Sequence, residues 1–302
     1  MQRYFCIALF VSLFLLSPFV QANPVACFKT NMGTFCIELF VNQNPVTVTN
    51  FFDYINNSAY TDGIFHRSVP GFVLQAGGFK IINNDDGISL AAVNTLEPIA
   101  NEFGMPNMRG TVAMAKLAGE PDSATSQWFV NLSDNAANLD NQNGGFTVFG
   151  KIIYDGMTVI DAIADLPLNN FSGELTSTPT KDFNGQNILV ENLIRIISIE
   201  VTNPVGIFNK DLLSFAVNVG NNEFFAVSLR LIATNPKIIF ELDSASITPL
   251  QTSPDNVAVF SMQDGTLNIP SVMLDDSTTV NNVLMTLTDA NTFQFTLLSM
   301  EQ

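Results

Sequence analysis

The sequence predicts a mainly β protein, a closed antiparallel barrel carrying two helices, followed by a second, β-sandwich-like domain. Three observations lead there. Short apolar runs of strand length fill residues 25–201, and only two segments show helical spacing. Asn203-Pro204-Val205-Gly206 then breaks the pattern and marks a boundary. Beyond it, apolar and polar residues alternate with period two over five segments, which argues for a half-buried sheet. The length of 302 residues suits two such domains, since one takes roughly 100–200 residues. A hydrophobic content of 47% supplies both cores.

The elements follow in order. Residues 1–22 have the anatomy of a secretory signal: Arg3, an apolar run from Ile7 to Leu16, and Val20-Gln21-Ala22 ending on a small residue. That run is short of the ~20 apolar residues of a membrane span. No later stretch is long and apolar enough, so the mature chain is expected to carry no span. Residues 25–41 form a hairpin turning at Thr30-Asn31-Met32-Gly33. Asn44-Pro45 offers an N-cap and a first-turn proline; Val48, Phe51, Phe52 and Ile55 then trace one helix face, stopped by Asn56-Asn57-Ser58. Strands are expected from Gly63 to Phe79, a loop over Asp85–Asn107, and further strands at Gly110–Lys116, Gln127–Leu132 and Thr147–Ile153. Val159, Ile160 and Ile163 set the inner face of a second helix over Met157–Asp165, and Ile188–Val201 closes the barrel. The domains are thus read as 23–202 and 203–302.

Charge and cysteines narrow the function classes. The formal charge is −16, and removing the one basic residue of the leader leaves 11 basic against 28 acidic, or −17. Such a surface repels phosphates, which speaks against nucleic acid and anionic membranes. Cys6 leaves with the leader. Cys27 and Cys36 flank the first turn and, with Asn31 and Met32 as its central residues, face each other across the hairpin; they form either a cross-strand disulfide or two small buried thiols. With one histidine, His66, and no cysteine cluster, no metal site is expected. A Ser-His-Asp hydrolase would need that same His66, and no G-x-S-x-G elbow accompanies it.

The informative stretch is Phe65-His66-Arg67-Ser68-Val69-Pro70-Gly71-Phe72-Val73-Leu74-Gln75-Ala76-Gly77-Gly78-Phe79. Matching blocks follow at Arg109–Ala115, at Asp122-Ser123-Ala124-Thr125-Ser126-Gln127-Trp128-Phe129, at Leu139-Asp140 and at Val148-Phe149-Gly150. In this order, over residues 25–201, they resemble the cyclophilin-type peptidyl-prolyl cis-trans isomerases, closest to the bacterial periplasmic branch. The resemblance implies an eight-stranded barrel with two capping helices, isomerase activity without a cofactor, and proline-containing unfolded or partly folded polypeptides as partners. It implies Arg67, Gln75 and Phe72 as catalytic residues, with Gln75 holding the guanidinium. It further implies Val73, Met114, Ala115, Gln127, Phe129, Leu139 and Phe146 as substrate-binding residues.

The chemistry suits these residue types. Rotation about X–Pro meets a barrier of ~18–20 kcal/mol from amide resonance. Lowering it takes no nucleophile, metal or proton relay; it takes a fixed donor for the prolyl nitrogen or rotating carbonyl and a dry cleft for the ring. Arg67 is a permanently charged planar fork suited to the first task. His66 is read as a packed residue. Lys116 stands where relatives commonly have asparagine and is left outside the site. Asn138 stands where relatives carry Trp or Phe, and Phe146 where many have His or Tyr, next to an insertion at Asn141–Gly145. Loss of the aromatic wall at Asn138 implies poor cyclosporin binding, and it is the foothold for an alternative, a non-catalytic peptide-binding chaperone. For residues 203–302 the sequence names no ligand; a binding module for envelope proteins or glycans and a spacer or dimerisation unit both remain open.

Overall fold

The chain enters its first sheet through the hairpin read from the sequence, β1 (Val25–Thr30) and β2 (Gly33–Leu39), paired antiparallel across Asn31-Met32. The computed structural model describes residues 23–84, 87–171, 175–221, 223–250, 257–276 and 278–302, so the leader expected at residues 1–22 lies outside the described residues. Cys27 and Cys36 are register partners and are joined in a disulfide, which decides between the two states left open by the sequence.

Helix α1 (Pro45–Asn56) starts where the proline suggested, but its cap comes from elsewhere. The Asn44 side chain makes no capping bond; its amide donates instead to the carbonyl of Glu102 at 2.9 Å. The Glu102 carboxylate accepts from the backbone N–H groups of Val46 (3.1 Å) and Thr47 (2.8 Å) and from the Thr47 hydroxyl (2.8 Å). A carboxylate there satisfies orphan donors and complements the positive end of the helix dipole.

After α1 come β3 (Arg67–Val69), β4 (Val73–Ala76) and the hairpin β5 (Phe79–Asn84)–β6 (Gly87–Ala92). Then follow β7 (Thr111–Met114), β8 (Trp128–Asn131), α2 (Ala136–Leu139), β9 (Val148–Ile153) and α3 (Gly156–Ala164), the short pair β10 (Leu168–Asn169)–β11 (Thr178–Pro179), and β12 (Ile196–Thr202). Two departures from the sequence reading stand out. Part of the expected loop is strand β6, because β5 needs a partner for its backbone groups and finds it in the returning chain. The one-turn helix α2 joins the two helices predicted.

Eight strands share one sheet in the order β12-β1-β2-β9-β7-β8-β4-β3. The segment before β3 closes it: Ile64 bridges Arg195, Phe65 donates to the Ile194 carbonyl at 3.1 Å, and Ile196 donates to that of Gly63 at 2.8 Å. Aromatic rings fill the interior. Phe28 stacks on Phe35 with centroids 5.1 Å apart, and Trp128 meets Phe51, Tyr60 and Phe65 edge-on at 6.1, 6.4 and 6.0 Å. Each such pair adds about 0.5–1.5 kcal/mol beyond its area burial. A lumen packed this way leaves no room for a substrate, so any site must lie on the outer wall.

The remaining strands are β13 (Gly206–Asn209), β14 (Leu212–Asn218), β15 (Phe224–Ala233), β16 (Ile239–Leu242), β17 (Thr248–Leu250), β18 (Ala258–Ser261), β19 (Thr266–Met273), β20 (Thr279–Asp289) and β21 (Gln294–Glu301). Period-two alternation sends Leu213, Phe215, Val217, Leu229, Met285 and Phe295 to one face, as the sequence pattern requires. The face-to-face packing is achieved by one sheet that curls until β14 pairs with β15, forming a second closed barrel. The two sheets meet at the disulfide, where Cys27 and Cys36 pack with Ile207 and Met273. Tyr154 spans the joint, its N–H donating to Asn209 Oδ1 at 3.0 Å and its hydroxyl to the Met273 carbonyl at 3.3 Å. No helix among the described residues is long and apolar enough to cross a membrane.

Candidate active site

Strand alternation decides what the outer wall of the first barrel displays. On β4, Leu74 and Ala76 enter the core while Val73 and Gln75 face outward; on β8, Trp128 and Val130 go in and Phe129 goes out. On β7 the inward residues are Val112 and Met114, leaving Ala113 outside. Met114 is therefore not a groove residue: it is 1% exposed and belongs to the barrel core. The other residues singled out in the sequence are brought together on the outer face.

Two groups make the site. The first is a polar chain. Arg67 and Gln75 are register partners on β3 and β4, and Arg67 Nη1 donates to Gln75 Oε1 at 3.1 Å. Gln75 Nε2 in turn donates to Gln127 Oε1 at 2.6 Å. The guanidinium is half-buried and fixed by a neutral amide, and no ion pair to a carboxylate is seen for it among the described residues. The turn after β4 makes this packing possible. Gly77 has φ +82°, and a Cβ there would stand 2.3 Å from the Ser126 carbonyl oxygen. A Cβ on Gly78 would press at 3.0 Å on Gln127 and at 3.1 Å on His66.

The second group is apolar. Val73, Ala113, Phe129, Leu139 and Val148 form a buried cluster, and Phe72, Ala115, Phe146, Phe40 and Met105 pack onto it. Phe129 and Phe146 meet edge-on with centroids 5.9 Å apart. Gln75 pairs with Phe129 in the β4–β8 register, so the polar chain borders this floor directly.

His66 is 3% exposed, with its ring edge-on to Phe79 at 5.2 Å. Burial pushes its pKa down to about 4, against weaker opposing hydrogen bonds to Gln127 and the Ile64 backbone. It is a neutral packing residue at ordinary pH, as read from the sequence.

Sequence reasoning missed the buried amide network that braces the apolar floor. Asn107, fully buried, donates to Asp140 Oδ1 at 2.8 Å and to the Phe146 carbonyl at 3.0 Å. Asn131 donates to Asn107 Oδ1 at 3.1 Å, and Asn135 donates to Asn131 Oδ1 and to the Phe72 carbonyl, both at 2.8 Å. These amides tie together the three chain segments carrying Phe72, Leu139 and Phe146. Lys116, left outside the site in the sequence reading, borders it through the inserted loop. Its Nζ donates to the carbonyls of Asn143 (2.8 Å) and Gly145 (2.6 Å) and lies 4.9 Å over the Phe146 ring, pinning the inserted loop. Desolvation there draws its pKa down. Beside it a groove of about 610 Å³ runs on from Gln75 and Gln127 past Ala115 and Thr125. Asn138 is exposed, its side chain bonded to Gln142, and adds no ring to the floor.

Comparison with known proteins identifies the family of the first barrel. Residues 25–190 match the family model described as cyclophilin type peptidyl-prolyl cis-trans isomerase. A peptidyl-prolyl cis-trans isomerase of Acinetobacter baylyi is 41% identical over 160 residues, 52% of this chain and 80% of that protein. Peptidyl-prolyl cis-trans isomerase B of Escherichia coli is 39% identical over 161 residues, 51% of this chain and 92% of its own length. A solved structure of a Cryptosporidium parvum cyclophilin type peptidyl-prolyl cis-trans isomerase, obtained in the presence of the dipeptide Ala-Pro, is similar at 23% identity and a TM-score of 0.44, over 59% of this chain and 98% of that one. The match over more than half of its length shows that the chain belongs to the cyclophilin-type peptidyl-prolyl cis-trans isomerase family.

Proposed function

We propose that residues 23–202 form a domain that accelerates X-Pro isomerisation in secreted or envelope proteins while they fold, after removal of residues 1–22 on export to the periplasm. The observation that carries the catalytic reading is the Arg67 guanidinium held by Gln75 at the border of an apolar floor. A proline ring lying on Phe72, Phe129 and Leu139 would present its amide to that guanidinium. Donation toward the prolyl nitrogen favours its pyramidal, single-bonded form, in which resonance no longer opposes rotation. Gln127 offers an amide to the backbone of the extended substrate. Exclusion of water by the floor strengthens the interaction, since charges act through a lower dielectric there.

The disulfide supports the compartment, because Cys27–Cys36 bridges form and persist where the surroundings are oxidising. Two measurements test the proposal. A protease-free isomerisation assay on a short X-Pro peptide should show turnover that collapses in Arg67→Ala, with circular dichroism unchanged. Cell fractionation with N-terminal sequencing should find a periplasmic chain beginning at Asn23; a cytoplasmic chain retaining Met1 would sink the export reading.

A further inference from the structure

The inward-facing residues of the second barrel do not fill its interior. Along β15, Phe225, Val227, Leu229 and Leu231 face inward, yet only Leu229 is fully buried. A cavity of about 370 Å³ opens at the end of the barrel built from the C-terminal half of β14, the first half of β15 and the segment around Phe293. A smaller one of about 190 Å³ enters from the other end, past Leu231, Phe240 and Met285. The larger has an apolar rim: Ile247, Met262 and Phe293 are 42%, 67% and 49% exposed around it. Phe260 and Phe295 stand edge to face at 5.8 Å in its wall. The first barrel, by contrast, is plugged by aromatic rings.

We propose that this cavity is the binding site for one unbranched hydrocarbon chain on an uncharged head group, the acyl chain of a neutral lipid. Three features select that occupant. Among the described residues Ser244 is the one polar residue in the lining, so whatever enters must carry no polar group of its own. An extended polypeptide does not meet that condition, because its N–H and C=O groups would find a single hydroxyl to satisfy them. The head must be uncharged, since no Lys or Arg among the described residues lines the cavity and residues 203–302 contain 3 basic against 10 acidic residues, which repels anions. The size agrees: scaling from an apolar cavity of ~150 Å³ that takes benzene, this one of about 370 Å³ accepts about fifteen carbons, enough for a lauroyl chain. The chain enters end-on, leaving its head in water at the Met262 rim.

The test uses the full-length protein and the neutral fluorophore N-phenyl-1-naphthylamine, displaced by 1-monolauroylglycerol below its micelle concentration. Saturable binding of one molecule per chain is expected. Val217→Trp, deep in the cavity, and Val219→Trp, nearer its mouth, should each weaken it at least tenfold. Val259→Trp, on an outward-facing residue that is 51% exposed, should leave it unchanged. Isomerase activity should be the same in all three, which keeps this result separate from that of the Arg67 site. No saturable binding, or equal affinity in both filled variants, would overturn the proposal. So would displacement by an unfolded polypeptide but not by the monoacylglycerol. Equally tight binding of lauric acid at pH 8 would overturn the uncharged head.

Discussion

Gln75 accepts from Arg67 on one side and donates to Gln127 on the other, so a single amide sets the position of both polar groups in the cleft. The guanidinium gains a fixed direction without a counter-ion. Arg67→Ala is expected to lower kcat/KM by about 10²–10³-fold, the usual cost of one preorganised donor. Gln75→Leu should cost less and act mainly on kcat, since it frees the donor without removing it. Peptide assays with matched melting curves decide this; a Gln75→Leu enzyme with unchanged kcat would refute the positioning role.

Asn107 is the hub of the bracing network. Its replacement by alanine removes the amide donor to the Phe146 carbonyl and one of two partners each from Asp140 Oδ1 and the Asn131 amide. The expected loss is about 2–3 kcal/mol of stability, together with a raised KM as Phe146 loses its anchor. Urea unfolding and Michaelis kinetics on the same preparation check both halves.

Glu102→Gln should weaken the start of α1 by roughly 1–2 kcal/mol, because the charge at the helix N-terminus is lost and only part of the hydrogen bonding survives. Denaturant midpoints measure it. An unchanged midpoint would mean that water caps the helix equally well.

His66 makes stability depend on pH in one direction. Its pKa is about 4 in the folded chain against 6.5 when exposed. As pH falls through 6.5 the unfolded chain takes up a proton that the folded one refuses until about pH 4. Stability is therefore complete above that window and declines across it, by about 3 kcal/mol in all. As this is the one histidine in the chain, the difference in unfolding free energy between wild type and His66→Gln isolates the effect. A difference independent of pH between 4 and 7.5 would contradict it.

Cyclosporin is expected to bind weakly, because Asn138 is exposed, bonded to Gln142, and gives the floor no aromatic wall. Asn138→Trp should tighten inhibition at least tenfold in the isomerase assay; no gain would place the cause elsewhere.

What the sequence discloses depends on how local the cause is. The hairpin turn, both longer helices and the inward residues of the second barrel rest on spacing within a few residues, and all were readable. The segment from Phe65 to Phe79 was readable as a motif. Its facing was not fully used: alternation from Ala113 through Ala115 already sends Met114 inward, but motif matching carries no direction. Asn107 and Glu102 sit in a stretch with no periodicity, and their side-chain partners are 24 or more residues away. Nothing nearby marks them. Strand β6 was hidden likewise, since its reason is the unpaired edge of β5. Curling of the second sheet into a barrel depends on β14 meeting β15 after the sheet has gone round, which alternation alone does not specify.

The clamp on α1 also orders events in time. A peptide of a dozen residues whose own Asn44 does not cap it has little helix in water, because nucleation is costly and short helices are marginal. Its first turn is completed only when Glu102 arrives, across a separation of 55 residues to Thr47. Closing so long a segment costs entropy before any contact repays it, and topologies of this kind fold slowly. Helix α1 is thus expected to be a late product of the barrel's assembly rather than a seed for it.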